Sequence, residues 1–363
     1  MDMRTRSRLA ACVVALTGLV LLAGCAGPAP AAPASVPATD LTTKTSTPAT
    51  APPGQTRPAA VFGGDCAAVF TVDEVRAAVG ADVTSWAAAR ASSLAVNPYY
   101  AVVPARGGID CQWSEKESPT SAYLSAIVVA AASVPTDTVD QIACYGADVA
   151  GSAESGACRI SATVAGYWLS ADVYTAVGTV NEDARNAATK LVATFSGRAQ
   201  AAGAPEVVAT PSGAWTREDC AALSTAADIT HAVSSPGLTV RSNDSEGTEG
   251  SEGRFAAKTT TGAFACGWSQ SPIPEGQIGS FSAIALPGGA WAQVDIARTT
   301  GAEKVSVPGV DGVIRIPNEG GGYTFDVFDG VNWLRLSTNT STESNLDQLI
   351  PAIPALVNAL NAA

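Results

Sequence analysis

The chain has 363 residues, a length typical of two or three domains, and 47% of them are hydrophobic, which is enough for packed cores. Acidic residues outnumber lysine and arginine by 33 to 21, so the formal net charge is −12. An acidic chain without a basic cluster argues against nucleic acid as a partner, because phosphates need lysine or arginine to neutralise them. It also argues against adhesion to an anionic bilayer through a polybasic patch.

Residues 1–24 have the pattern of a signal peptide. Arg4, Arg6 and Arg8 form a positive segment, and an apolar run follows from Leu9 to Leu22. The run is too short for a comfortable membrane span, and it ends in small residues, as a signal peptide does. We therefore expect an exported protein.

The end of this segment, Leu22-Ala23-Gly24-Cys25, resembles a bacterial lipobox. The resemblance implies cleavage before Cys25 and attachment of diacylglycerol to the Cys25 sulfur. Two or more long acyl chains anchor a protein stably, so the expected location is the outer face of the cell membrane, contacted through the lipid on Cys25. The alternative is an ordinary secreted protein with a chance cysteine at this position.

Residues 25–60 contain the lipidated cysteine and a segment rich in proline, alanine and threonine. Such a segment cannot bury enough apolar surface to offset the entropy lost on ordering, and its prolines favour an extended chain. It is predicted to be a tether, either a spacer that holds the domains away from the membrane or a passive linker.

Four short stretches show that one pattern, an early cysteine and a later Cys-x-Trp-Ser sequence, occurs twice along the chain. They are Asp65-Cys66-Ala67-Ala68-Val69, Cys111-Gln112-Trp113-Ser114, Asp219-Cys220-Ala221-Ala222-Leu223 and Cys266-Gly267-Trp268-Ser269. The cysteines are 45 residues apart in the first pair and 46 in the second. The match predicts a tandem duplication of one disulfide-tied module, with module one at 61–199, a linker at 200–213 and module two at 214–363.

Each module is predicted to begin with a capped helix. In module one, Thr71 and Glu74 have the spacing of a capping box, and the helix is expected to end at Gly80. In module two, Thr225 and Asp228 occupy the same places after the cysteine, so an equivalent cap is expected there.

Strand-like segments and a closing amphipathic helix follow in each module. The predicted strands are Tyr123–Ala131, Cys158–Val164, Tyr167–Tyr174, Ser280–Leu286, Tyr323–Phe328 and Asn332–Ser337. Ala165-Gly166 and Asp329-Gly330 suit tight hairpin turns, and the closing helices are expected at Glu182–Ser196 and Leu346–Leu360. This order predicts an α+β fold of two tandem similar modules, each an antiparallel sheet packed by N- and C-terminal helices.

The chain has eight cysteines, of which Cys12 leaves with the signal peptide and Cys25 carries the lipid. The remaining six are an even number in an exported chain, which favours disulfides. Equivalent modules need equivalent pairs, which selects Cys66–Cys111 and Cys220–Cys266 and leaves Cys144–Cys158 as a bridge private to module one. Metal ligation is disfavoured because the chain has one histidine and no Cys-x-x-Cys motif, and no metal or cofactor is predicted.

No residue pattern predicts catalysis. The single histidine, His231, has no Gly-x-Ser-x-Gly motif to accompany it. Asp148 and Asp311 could form the carboxylate pair of a glycosidase, but they lie at equivalent places in different modules and are predicted to be turn residues. The acidic, glycine-rich segment Asn243–Gly253 matches no calcium-binding loop, and a solvated loop is expected.

The loop of module one that corresponds to this acidic segment is Ala95–Val102, which is uncharged and contains Tyr99 and Tyr100. An exposed tyrosine pair is typical of recognition surfaces, so these two residues are the predicted contact site; the alternative is a covering loop whose tyrosines pack. Trp113 and Trp268 each follow a strand cysteine by two positions, so they share its face and are predicted to be core residues.

The lipobox at Leu22–Cys25, the tether, and small domains with an early cysteine and a later Cys-x-Trp resemble the uncharacterised secreted lipoproteins of actinobacteria. The resemblance covers the whole layout, and some such lipoproteins look like PsbP-type α/β domains. It implies an antiparallel sheet packed by helices and carries over no catalytic residue. The Cys144–Cys158 bridge, private to module one, departs from the pattern.

The expected function is a membrane-anchored, non-enzymatic lipoprotein that binds a small ligand or an envelope protein. Two alternatives stay open. One is a cell-wall hydrolase that uses acidic residues, which needs a concave pocket holding carboxylates from one module. The other is an accessory subunit of an envelope complex.

Overall fold

A computed structural model describes residues 56–86, 97–115, 122–136, 138–146, 155–216, 219–242, 252–318, 322–338 and 347–363. The predicted signal peptide, Cys25, most of the tether, Asp148 and the acidic residues 243–251 lie outside the described residues. Residues Thr50–Ala363 form one compact unit. It contains two antiparallel sheets, each with a hydrophobic core, and a third core to which both halves of the chain contribute.

The described residues contain nine α-helices: α1 Cys66–Val69, α2 Val72–Val79, α3 Pro98–Ala101, α4 Asn181–Ala202, α5 Cys220–Ala226, α6 Ile229–Ala232, α7 Glu252–Thr261, α8 Gln293–Ile296 and α9 Ala352–Ala362. They also contain thirteen strands: β1 Val83–Ser85, β2 Ile109–Glu115, β3 Tyr123–Ala130, β4 Gln141–Gly146, β5 Gly156–Val164, β6 Tyr167–Tyr174, β7 Thr239–Ser242, β8 Phe264–Ser269, β9 Ser280–Leu286, β10 Glu303–Val307, β11 Val310–Pro317, β12 Tyr323–Asp329 and β13 Asn332–Thr338. Short 3-10 helices lie at Val61–Gly64, Pro104–Arg106, Ala131–Ser133, Ala290–Ala292 and Asp347–Leu349.

The first sheet has six strands in the order β1-β2-β3-β6-β5-β4. The β5–β6 hairpin turns through Ala165 and Gly166, whose φ angles are 50° and 85°. Two successive positive φ angles are required by a type I′ turn, which matches the twist of the flanking strands, so the predicted tight turn is confirmed. The edge strand β4 was not predicted, because both of its faces are largely exposed and it lacks a buried apolar alternation.

The capping box at the start of α2 is confirmed. Thr71 Oγ1 accepts from the Glu74 N–H at 3.3 Å, and Glu74 Oε2 accepts from the Thr71 N–H at 2.7 Å. The helix ends at Gly80 in the left-handed conformation, as predicted. Val75 and Val79 are fully buried in the core of the first sheet.

The closing helix of the N-terminal half, α4, is longer than predicted and includes the first residues of the expected linker. Its buried side chains recur every three or four positions and form one stripe. They are Ala184, Ala188, Leu191, Phe195 and Ala199. The last contact is made by an alanine, a weak apolar signal in an alanine-rich sequence, and the helix end was therefore misplaced.

The second sheet has seven strands in the order β10-β11-β12-β13-β9-β8-β7. Strand β9 has its predicted bounds, and β12 and β13 each extend one residue further than predicted. The β10–β11 hairpin was not predicted, and it places Asp311 on an exposed strand position because Val307 pairs with Val310 and the turn lies between them. Helix α9 begins only after Pro351, the late start that proline requires.

The predicted cap in the C-terminal half is wrong. Thr225 lies inside α5, where its hydroxyl donates to the Ala221 carbonyl at 2.9 Å, and Asp228 has a φ of 44° and makes no side-chain cap. Asp219 caps α5 by accepting from the N–H groups of Ala221 and Ala222. The helix then continues through Thr225, whereas the chain of the N-terminal half is extended at Phe70 before a new helix begins.

The three predicted disulfides are present: Cys66–Cys111, Cys144–Cys158 and Cys220–Cys266. The first joins α1 to β2 and the third joins α5 to β8. Trp113 and Trp268 are each 1% exposed and lie in the same cores as the neighbouring bridges, as predicted.

Candidate functional site

The two halves meet through helices that lie between the paired cysteines. Helix α3 of the N-terminal half packs on β9 and β13 of the second sheet, and α7 of the C-terminal half packs on β3 and β6 of the first sheet. The third core lies at this contact and includes Val103 and Trp168 from one half and Trp291 and Trp333 from the other. We call this contact the seam, defined by α3, α7 and the third core.

The approach of α7 to the first sheet requires a glycine. A Cβ on Gly253 would lie 2.9 Å from the Ile127 Cβ and 3.0 Å from the Ser170 Cβ, closer than ordinary carbon contacts. The last residue of the predicted acidic loop is therefore a packing residue of the seam.

Two buried ion pairs share one geometry. Across the seam, Arg254 donates from Nε to Asp110 Oδ2 at 2.9 Å and from Nη2 to Oδ1 at 3.4 Å. In the second sheet, Arg335 donates from Nε and Nη2 to the two oxygens of Asp326, both at 2.8 Å. Both carboxylates are 0% exposed. In each pair the carboxylate accepts from the guanidinium edge formed by Nε and Nη2, so each buried charge has an opposite charge hydrogen-bonded to it.

The expected exposure of Tyr99 and Tyr100 is wrong. Tyr99 is 7% exposed, and the Lys258 Nζ lies 5.4 Å from its ring centroid. Tyr100 is half-buried, with the Arg254 guanidinium carbon 5.1 Å from its ring centroid. Both tyrosines face α7, so they pack in the seam, and the alternative of a covering loop describes them.

Of the residues weighed for catalysis, the structure describes His231 and Asp311. His231 is exposed in α6 and Asp311 is exposed on β11. Asp148 lies outside the described residues. Across the described ranges, no group of three or more histidine, cysteine, aspartate or glutamate side chains could hold a metal ion.

A cavity of about 170 Å³, partly open to solvent, lies where four segments of the chain converge. They are the end of the tether (Thr56 and Pro58), the 3-10 turn that carries Arg106, the linker residues 208–211, and a wall from the C-terminal half that includes Pro287 and Trp291. None of the described residues that line it is acidic. The cavity therefore exists only when both halves and the linker are assembled.

Arg106 is the buried cation of this cavity. Its side chain is 8% exposed, and Nη1 donates to the Val208 carbonyl and to Thr210 Oγ1, each at 3.2 Å. Its Nε is buried without a hydrogen-bond partner, and no ion pair joins Arg106 to a carboxylate in the described part of the chain. Burial lowers the pKa of the Arg106 guanidinium below its usual range. A desolvated charge without a counter-ion is costly, so the site favours an anion.

Trp291 and Arg57 add two further features to the cavity. Trp291 is 5% exposed, and its indole Nε1 is buried without an acceptor among the residues that the structure describes. The guanidinium carbon of Arg57 lies 5.4 Å from the Trp291 ring centroid, and Arg57 stands between the two tether residues of the cavity wall. The indole thus has a cation over its face and a free donor at its edge.

Sequence reasoning missed Arg106. It occurs in the run Val102-Val103-Pro104-Ala105-Arg106-Gly107-Gly108, where it is the one charged residue among apolar, proline and glycine neighbours. That isolation was the available signal. Whether this arginine is buried and what it contacts depend on the linker and on the C-terminal half, which lie far away in sequence. Trp291 has no recognisable motif around it in the sequence, and it is buried.

No protein-family model, curated protein or solved structure matches this chain. Among the helices of the described ranges, none has the length and apolar character needed to cross a membrane.

Proposed function

We propose that this chain is a lipid-anchored, extracytoplasmic, non-enzymatic binding protein whose small ligand occupies the cavity at the seam. The observation that carries the proposal is the cavity itself, because a buried arginine and a buried tryptophan line it together with mainly apolar residues. Small-ligand sites have this composition, apolar with a few placed polar groups, and they occur preferentially between domains. The disulfides agree with an oxidising compartment, and the lipobox residues that end at Cys25 support attachment to the membrane.

We also infer that the two halves are copies of one module. The strand order of the second sheet is that of the first with one strand added at the end, and each sheet is joined to its first helix by a disulfide. A finer likeness supports this. Trp168 Nε1 donates to Ser161 Oγ at 3.0 Å, and Trp333 Nε1 donates to Asp326 Oδ1 at 2.7 Å, in both cases seven residues back along a hairpin.

The proposal gives the fusion of the two modules a role in ligand binding, because neither module could form the site alone. Arg106 comes from module one and Trp291 from module two, and the linker closes the wall between them. Fusion into one chain removes the cost of bringing two molecules together, so the site stays assembled at any protein concentration.

The anchoring is tested by metabolic labelling with a clickable fatty acid in a bacterium that processes lipoproteins. The wild-type chain should be labelled and should fractionate with membranes, whereas Cys25→Ala should be unlabelled. Equal labelling of the variant, or an unlabelled wild type found wholly in the medium, would contradict the anchor.

The binding site is tested with a variant that fills the cavity. Ala105 lines the cavity and Ala193 is exposed on α4, so Ala105→Phe and Ala193→Phe add the same group at a site and at a control position. Native mass spectrometry of protein extracted from its own membranes should show a bound small molecule in the wild type and in Ala193→Phe but not in Ala105→Phe. A ligand retained by Ala105→Phe, or no ligand on any form together with a higher melting temperature for Ala105→Phe, would oppose the proposal.

A further inference from the structure

We infer that the ligand of the seam cavity is a short-chain carboxylate anion, held through the Nε and Nη2 edge of Arg106. The inference rests on the proposed function in one respect, namely that the cavity is a ligand site. It adds the chemical class of the ligand and the atoms that hold it.

Three arginines of this chain are buried to a similar degree and differ in what their Nε and Nη2 edges contact. Arg254 and Arg335 are almost fully buried, and in each a carboxylate fills the edge formed by Nε and Nη2. Arg106 is equally buried, but its hydrogen bonds in the described part of the chain come from Nη1 alone. Its Nε is buried without a hydrogen-bond partner, so within the described part of the chain no carboxylate fills the Nε and Nη2 edge, the planar fork that matches two carboxylate oxygens.

The linker fixes the direction of this fork. Nη1 is held by the Val208 carbonyl and Thr210 Oγ1, so the guanidinium is oriented before any ligand arrives. An oriented donor pair loses little freedom on binding, which favours affinity. Trp291, whose buried N–H has no acceptor among the described residues, also lines the cavity.

The composition of the cavity walls favours a carboxylate over a phosphate or sulfate. Apart from Arg106 and three threonines, the lining is apolar, with Pro58, Pro211, Pro287 and Val208 among its residues, and the hydroxyl of one threonine, Thr261, already donates to the Lys258 carbonyl. A phosphate or sulfate has oxygens on every side and would leave some against these apolar groups, whereas a carboxylate has two oxygens at one end and an aliphatic remainder. A cavity of ~150 Å³ accommodates benzene, so this one suits a ligand of about six non-hydrogen atoms.

Arg57 lies beside the cavity. It is exposed and lies over the ring of the lining residue Trp291, so it places a second positive charge near the site in a chain whose overall charge is −12. Opposite charge near an entrance raises the local concentration of an anion and speeds its association, an effect that salt weakens.

The test is a titration of the full mature protein, freed of any co-purified ligand by unfolding and refolding with its disulfides intact. The probes are propionate, butyrate and pyruvate, with propionamide as the neutral match and phosphate and sulfate as the other oxyanions. Binding is followed by calorimetry and by the NMR signal of the Arg106 Nε–H, assigned by its loss in Arg106→Lys. We expect the carboxylates to bind and to shift this signal, while propionamide and phosphate bind at least ten-fold more weakly.

Variants test whether binding depends on the guanidinium fork or only on the positive charge. Arg106→Lys keeps the charge but has no fork, and it should weaken carboxylate binding at least ten-fold, whereas Trp291→Phe should weaken it several-fold. Arg298→Lys, at a side chain 76% exposed, is the matched control and should bind as the wild type does. Melting temperatures of all variants without ligand identify any that fail to fold.

Three outcomes overturn the inference. Binding of carboxylates with full affinity by folded Arg106→Lys would show that the fork is not used. Preference for phosphate over propionate would assign the site to another anion class. Preference for propionamide would leave the cavity as a ligand site, and the proposed function with it, while removing the anionic ligand.

Discussion

The buried pair of Asp110 and Arg254 allows a sharp test of how the seam is held. Asp110→Ala leaves the Arg254 guanidinium, whose side chain is 8% exposed, without the carboxylate that now accepts from its Nε and Nη2. Removal of one partner from a buried pair costs about 3–5 kcal/mol, because the remaining buried charge loses the opposite charge that offset its desolvation. We expect a loss of that size in the free energy of unfolding, measured by urea denaturation with disulfides intact.

The matched control is Asp73→Ala. Asp73 pairs with Arg76 at 3.4 Å, but its side chain is 91% exposed, so the expected loss is ~0–1 kcal/mol. The double variant Asp110→Leu with Arg254→Met removes both charges and should recover most of the stability. A loss for Asp110→Ala no larger than that of the control would refute the reasoning, as would a double variant as unstable as the single one.

Three further predictions concern the helices and one tyrosine. Thr71→Ala should lower the free energy of unfolding by ~1 kcal/mol through loss of the α2 cap, whereas Thr225→Ala, which removes a hydroxyl within a helix, should change it little in the same urea assay. Gly253→Ala should cost ~1–3 kcal/mol, because its Cβ would lie 2.9 Å from the Ile127 Cβ, and a gain in melting temperature would contradict the close packing of α7. Partial burial of the phenol, and then the hydrogen bond to the Tyr174 hydroxyl, raise the pKa of Tyr145, so the folded state holds that proton more tightly than the unfolded state does. Its contribution to stability should be complete below about pH 10 and should decline as the pH rises further; the near-ultraviolet absorbance of the phenolate follows the titration, and Tyr145→Phe should lessen the decline.

Signals between residues close in sequence determined much of the fold. The capping box at Thr71, the turn at Ala165-Gly166 and the bounds of β9 depend on groups a few positions apart, so the sequence alone predicted them. The three disulfides were also predicted, because the spacing of the cysteines is itself a sequence observation. The cap expected at Thr225 failed for a local reason, since Asp219 had already started a helix that runs through it.

What the sequence could not determine depends on contacts between its two halves. Tyr99 and Tyr100 have the composition of a recognition surface, and the packing of α7 against them leaves Tyr99 buried and Tyr100 half-buried. In the sequence, Arg106 is a single charge in an apolar run. In the structure, its Nη1 donates to the linker, and nothing in the described part of the chain accepts from its Nε. Burial and pairing are properties of residues brought together over 100 or more positions, as the contact of Arg106 with Val208 requires. The tertiary structure therefore moved the candidate site from the tyrosine loop to the cavity between the halves.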